Sequence, residues 1–257
     1  MGRAVPPVHH GDTARGRVLG HGADAVTCAL HFSGRVLAGE TVLVGPVTMA
    51  AEAGRWTCLL GPSGVGKSTL LQCFAGLTDG LTVDGTVGNG GAVALMAQSD
   101  GLLPWLSVLE NITLGARLRR VRADRARALE LLGRVGLDGL TMRRPQTLSG
   151  GQRQRAALAR TLYEDRPVVL LDEPFSALDV ATRARMQDLA AAELKGRTVL
   201  HVTHDPSEAA RLGQRILILT GDGIEVIDRP DAIPRAPDAG ITLALTGQLT
   251  RTLLEAG

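Results

Sequence analysis

The stretch Gly61-Pro62-Ser63-Gly64-Val65-Gly66-Lys67-Ser68 decides the fold. It follows the pattern G-x-x-x-x-G-K-[ST] without deviation, between a short apolar run, Trp56 to Leu60, and an apolar helical segment, Thr69 to Leu77. Strand, glycine-rich turn and helix in that order form an anion cradle. The glycines let the backbone wrap close to phosphate oxygens, and successive N–H groups and the positive end of the helix point at the charge. Lys67 adds a point charge for the outer phosphates, and Ser68 offers a hydroxyl to Mg²⁺. Gly61 to Ser68, with Thr69 following, are therefore candidate nucleotide-binding residues.

Working outward, Val168 to Leu171 is a continuous apolar run ending in Asp172-Glu173. Such a run suits a parallel strand covered on both faces, as do Val199 to Val202 and Ile216 to Leu219. Ligands bind beyond the C-terminal ends of such strands, which brings both acids beside the phosphate loop. Asp172 suits the magnesium shell, and Glu173 suits orienting or deprotonating an attacking water. Upstream, β-branched and apolar residues from Val26 to Met49 alternate with turns expected at Ser33-Gly34 and Ala38-Gly39-Glu40, which reads as an antiparallel sheet. Val93 to Gln98 reads as a strand, and Val108 to Val135 has helical composition up to a break at Arg144-Pro145.

Leu148-Ser149-Gly150-Gly151-Gln152, ahead of a helical run, supplies a second helix start fit for an anion. This pentapeptide, in its place between the two nucleotide-binding elements, resembles the signature motif of ABC-type ATPases. The resemblance covers about 26–228. It implies an α/β fold: a P-loop NTPase core with a mostly parallel sheet, an N-terminal antiparallel β subdomain and an inserted α-helical subdomain at about 100–160. It also implies that Ser149, Gly150, Gly151 and Gln152 meet the nucleotide held by a second copy, so that a head-to-tail homodimer encloses two ATP molecules. Gln98 resembles the glutamine that senses Mg²⁺ and the γ-phosphate. Asp179, in Ser176-Ala177-Leu178-Asp179, resembles the residue that crosses the dimer interface. His204 resembles the switch histidine at the γ-phosphate. His201, which matches no motif, reads as structural. Members of the family usually stack an aromatic on adenine, and here Gly39 aligns at that place. Either Phe32 reaches in or the stacking is absent.

The cluster Leu102-Leu103-Pro104-Trp105-Leu106 is costly to leave in water and reads as a docking loop for a partner helix. Its Leu-Leu-Pro-Trp pattern resembles importers of the nitrate, sulfonate and taurine group and their relatives that carry the pyrimidine precursor of thiamine. The expected partners are transmembrane permease subunits and, through them, a solute-binding protein. The expected place is the cytoplasmic face of the inner membrane, held peripherally. The other reading is a soluble, non-transport ABC-type ATPase such as one of iron-sulfur assembly.

Composition agrees with this and narrows little. In 257 residues, 28 basic side chains face 26 acidic ones, so no global charge calls for nucleic acid. The arginines from Arg117 to Arg127 lack interleaved aromatics and read as a solvated helix face. Three cysteines, Cys28, Cys58 and Cys73, show no metal or redox spacing and suit a reducing compartment. No run approaches the roughly 18 apolar residues of a spanning helix. Residues 1–22 read as a disordered lead, and 229–257, opened by Pro230, Pro234 and Pro237, as a linker and short tail.

Overall fold

The computed structural model describes residues 28–229 and 232–255. The expected lead, 1–22, lies outside them. Two sheets organise the chain. The first is antiparallel, of β1 (Cys28–Ala38), β2 (Thr41–Glu52) and β4 (Thr82–Gly88), with β1 in the middle. The second holds β3 (Trp56–Leu60), β5 (Val93–Met96), β6 (Val168–Asp172), β7 (Thr198–Thr203), β8 (Arg215–Thr220) and β9 (Gly223–Asp228) in the order β5-β6-β7-β3-β8-β9. All its pairings are parallel except the β8–β9 edge hairpin.

Strands β3, β6 and β7 are buried along their whole length, as mostly apolar strands covered on both faces are. Burying a side chain such as Leu59 or Leu60 contributes about 1.5–3 kcal/mol each. One face of this sheet packs with the antiparallel sheet and helix α1 (Lys67–Ala75), and the other with the helical layer.

The turn expected at Ser33-Gly34 is absent. Strand β1 runs straight through, with a register shift against β2 beside Gly34. Gly34 pairs with Gly85 of β4, at φ of 141° and 150°, and a Cβ on either would lie 2.2 or 2.1 Å from the facing backbone oxygen. The glycine marks a close approach of two strands, not a reversal. The turn at Gly39-Glu40 forms as expected. Strand β4, which carries little apolar patterning and is mostly exposed, and the edge strand β9 are elements that sequence reading passed over.

Between β5 and β6 lie α2 (Val108–Ile112), α3 (Leu114–Leu118), α4 (Arg125–Arg134) and α5 (Gly150–Tyr163), the expected helical insertion. Helix α6 (Val180–Glu193) and α7 (Pro206–Leu212) follow β6 and β7. The tail is a helix, α8 (Gly240–Glu255), which adds Leu245 and Leu249 to the main core. It is tied down by buried Arg235, whose guanidinium donates to the carbonyls of Ala210, Gly213 and Arg229, and by Arg211, which donates to Arg235 O. No helix of the described residues is long and apolar enough to cross a membrane.

Candidate functional site

The C-terminal ends of β3, β6 and β7 lie side by side, and the loops leaving them carry the candidate residues. From β3 the chain enters the phosphate loop and then α1, whose N-cap is Gly66 at φ 98° with no side-chain cap. A Cβ on Gly66 would lie 2.6 Å from both Leu43 O and Val44 Cγ2, so only glycine lets the loop pass under β2. The start of α1 has no side-chain cap, a helix end suited to an anion. Lys67 is buried, and its ammonium donates to Gly61 O at 2.8 Å and Pro62 O at 2.7 Å. Burial lowers its pKa, while Glu173 and Asp172 pull it back up.

From β6 come the two acids. Asp172 is 6% exposed, and its Oδ1 has no hydrogen-bond partner. Burial holds this carboxyl above the usual carboxylate range, the Ser68 hydroxyl opposes that, and the Glu173 charge adds to it. A buried, unpartnered carboxylate oxygen beside a hydroxyl fits one side of a Mg²⁺ shell. Among the described residues no three His, Cys, Asp or Glu side chains gather as a metal site.

Glu173 adopts φ 48°, a left-handed conformation that costs a non-glycine residue on the order of 1–3 kcal/mol. The strain is held from both sides. Its N–H donates to Val202 O of β7 at 2.9 Å, and its carbonyl accepts from Gln154 Nε2 at 3.0 Å and Ser176 Oγ at 3.1 Å. The twist turns the carboxylate sideways. His204 Nδ1 lies 2.9 Å from Glu173 Oε1, and Gln98 Nε2 donates to Oε2 at 3.4 Å. Gln98 stands two residues beyond the end of β5, in the loop rather than on the strand. Three residues far apart in sequence thus meet at one carboxylate.

The second helix start lies at α5. Ser149 Oγ accepts from Gln152 N, and Gln152 Oε1 accepts from Ser149 N at 2.8 Å, a capping box. Asp179 caps α6 by accepting from Thr182 N at 3.0 Å. His201 is fully buried, edge-on to Trp56 and Phe175, with Nε2 3.3 Å from Glu208, as a structural histidine should be. Phe32 is fully buried in the core beneath the antiparallel sheet, so it does not reach toward a base. Gly39, at the β1–β2 turn, brings no ring either.

Sequence reading missed Gln154. Buried on α5, it links the signature helix to the Glu173 carbonyl, to Ser176 Oγ at 3.1 Å and to the amide of Ala177 at 2.9 Å. Its only sequence signal is a polar residue on the buried face of a helix. Arg153 and Arg160, also on α5, grip the loop after Gln98 through Asp100 and Gly101. Trp105 is 65% exposed and does not pack inside the helical subdomain. Its loop is clamped by buried Asn111, which bonds both N–H and C=O of Leu103 and the carbonyls of Leu106 and Ser107.

A family model described as ABC transporter matches residues 44–176. The aliphatic sulfonates import ATP-binding protein SsuB 1 of Rhodococcus jostii is 47% identical over 84% of this chain and 89% of its own length. The thiamine import ATP-binding protein ThiQ of Cereibacter sphaeroides is 45% identical over 73% of this chain and 88% of its own. Among solved structures, the ATP-binding cassette MJ0796, as a dimer in a post-hydrolysis state bound to ADP and Pi, aligns with a TM-score of 0.67. It is 30% identical over 79% of this chain and all of that one. Sequence identity at this level and a matched cassette fold show that the chain belongs to the ATP-binding proteins of the ABC transporter family.

Proposed function

We propose that this chain is the ATP-hydrolysing subunit of an importer. Two copies close head to tail on two ATP molecules, and closure is coupled to separate transmembrane permease subunits. The observation that carries the reading is the Glu173 carboxylate, held between His204 and Gln98 at the rim of the Lys67 and Asp172 site. The relatives named above are import proteins, which favours import over a soluble ATPase of iron-sulfur assembly. The solute is a small organic or anionic nutrient, handed over by a solute-binding protein that meets only the permease. The chain then sits peripherally on the cytoplasmic face of the membrane.

The Gly61–Thr69 loop holds the phosphates. Asp172 and Ser68 would hold Mg²⁺, with Gln98 reaching toward it, and the ion would neutralise charge on the β- and γ-oxygens. Glu173 orients the attacking water and takes its proton as the water oxygen bonds to the γ-phosphorus and the bond from that phosphorus to the β–γ bridging oxygen breaks, leaving ADP and phosphate. His204 faces the γ-phosphate and keeps the Glu173 carboxylate from swinging away. The second copy contributes Ser149, Gly150, Gly151 and Gln152 across the interface, with Asp179 of each copy at the seam. Trp105, on its clamped loop beyond Gln98, docks the permease, so that γ-phosphate occupancy and permease position share one short segment.

The test is ATPase activity of the full chain with Mg²⁺, followed by purification with its membrane complex. Hydrolysis that depends on Lys67 and Glu173, together with recovery of a multi-spanning partner, is expected. Hydrolysis with no membrane partner would return the soluble reading to first place.

A further inference from the structure

A polar cavity of about 320 Å³ lies behind the Glu173–His204 pair, lined by Glu173, Arg183, Thr203, His204, Asp205 and Glu208. Its contents form one connected network. Arg183 stands on the first turn of α6, where its N–H donates to Asp179 O at 2.8 Å. Its guanidinium reaches in two directions. Nη2 donates to the carbonyl of Leu178, the residue before Asp179, at 3.1 Å. Nη1 donates to Asp205 Oδ2, the residue after His204, at 3.3 Å. Its Nε lies 3.9 Å from Glu208 Oε1. Glu208 is buried and accepts from Thr203 Oγ1, the residue before His204, at 2.9 Å, and Asp205 N donates to the same hydroxyl at 3.0 Å.

His204 is therefore framed on both sides, while its own side chain is largely exposed and, among the described residues, makes its polar contact with Glu173. One side chain, Arg183, joins that frame to the turn that carries Asp179. We infer that Arg183 is a positioning residue that couples the Asp179 turn to the His204 turn, so that a displacement at Asp179 moves the Glu173–His204 pair. A planar fork with donors fixed in two directions is suited to this, and a lysine point charge is not. The inference rests on the ATPase reading above, and it assigns to that site the path by which the seam between two copies reaches the hydrolytic carboxylate.

Arg183→Met keeps the stem and removes the fork. In the full chain, ATP affinity is expected to stay within about twofold, because the guanidinium's contacts run to Leu178, Asp205 and Glu208 and not to the Lys67 loop. The turnover number is expected to fall about tenfold to a hundredfold, the scale of a misplaced catalytic group. Arg183→Lys is expected to recover only part of that. The decisive reading is the double variant. If Arg183 carries the influence of Asp179, then Asp179→Ala costs clearly less turnover in the Arg183→Met background than alone. Fold losses that simply multiply would overturn the coupling. So would an unchanged turnover number, or a loss matched by the fraction of unfolded chain in a thermal melt. Should Arg183→Met fail to fold, Asp205→Asn weakens the same strut from its other end and takes its place in the cycle. Failure of the ATPase reading looks different, because the unsubstituted chain would then hydrolyse no ATP.

Discussion

Helices α1 and α5 both open on glycine and serine around an anion-binding start, yet their first turns are finished in opposite ways. The N-cap of α1 is Gly66, which offers no side chain, and the buried Lys67 ammonium is satisfied only by carbonyls of its own loop. The N-cap of α5 is Ser149, closed into a reciprocal capping box with Gln152. The first start is left without a side-chain cap, which suits an anion, whereas the second is capped by its own side chains. On the proposed reading, affinity belongs to the Lys67 half, and the Ser149 half of the second copy adds a weaker contact that forms and breaks with each turnover. A strong grip on one copy and a light one from the other is what a reversible closure needs.

The largest expected effect lies between these halves. Glu173→Gln leaves ATP binding intact and lowers turnover by about 10²- to 10⁴-fold, the usual worth of a positioned general base, and it accumulates an ATP-bound dimer visible by light scattering. Turnover near the normal rate would remove Glu173 from its role. Next in size, Lys67→Ala weakens ATP binding to the single chain by about tenfold to a hundredfold, since hydrogen bonds to a charged group are worth roughly 1.5–3 kcal/mol. Calorimetric titration measures it. If the comparison is right, Ser149→Ala leaves that single-chain affinity unchanged. It lowers hydrolysis and removes a cap worth about 0.5–2 kcal/mol of stability. Equal losses of affinity at Lys67 and Ser149 would break the asymmetry.

The smallest effect concerns Asp172. Burial raises its pKa above the unfolded value, so the stability this group contributes is fully present at low pH. That contribution is lost as pH climbs from the unfolded value through the raised folded one. The ionised carboxylate is therefore the form that burial disfavours. Asp172→Asn is expected to raise Tm by about 1–4 °C, read from a thermal melt. A lower Tm would mean that the carboxylate is stabilising where it sits.

Most of the site was readable along the chain because its chemistry is local. The phosphate loop needs consecutive amides, the acids need one strand end, and the signature needs one helix start, and each shows as a short run. Gln154 and Arg183 show no such run. A buried glutamine on α5 and an arginine on α6 are ordinary helix residues until folding brings their heads to Glu173 and Asp205. The fold misread at Gly34 has the same cause, since glycine serves a turn and a close strand crossing equally well and only the facing Gly85 distinguishes them.

Order along the chain was enough to point to the cassette and its nucleotide and to nominate the residues proposed to grip and cleave it, because apolar runs and glycine patterns act over a few residues. Tertiary packing alone decided that Glu173 is twisted to φ 48° and braced by His204, Gln98 and Gln154, and that Phe32 is kept in the core. It also decided that Trp105 stands in the open. Those outcomes depend on which distant segments share a sheet edge, and hydrogen-bond geometry at that edge leaves no trace in spacing.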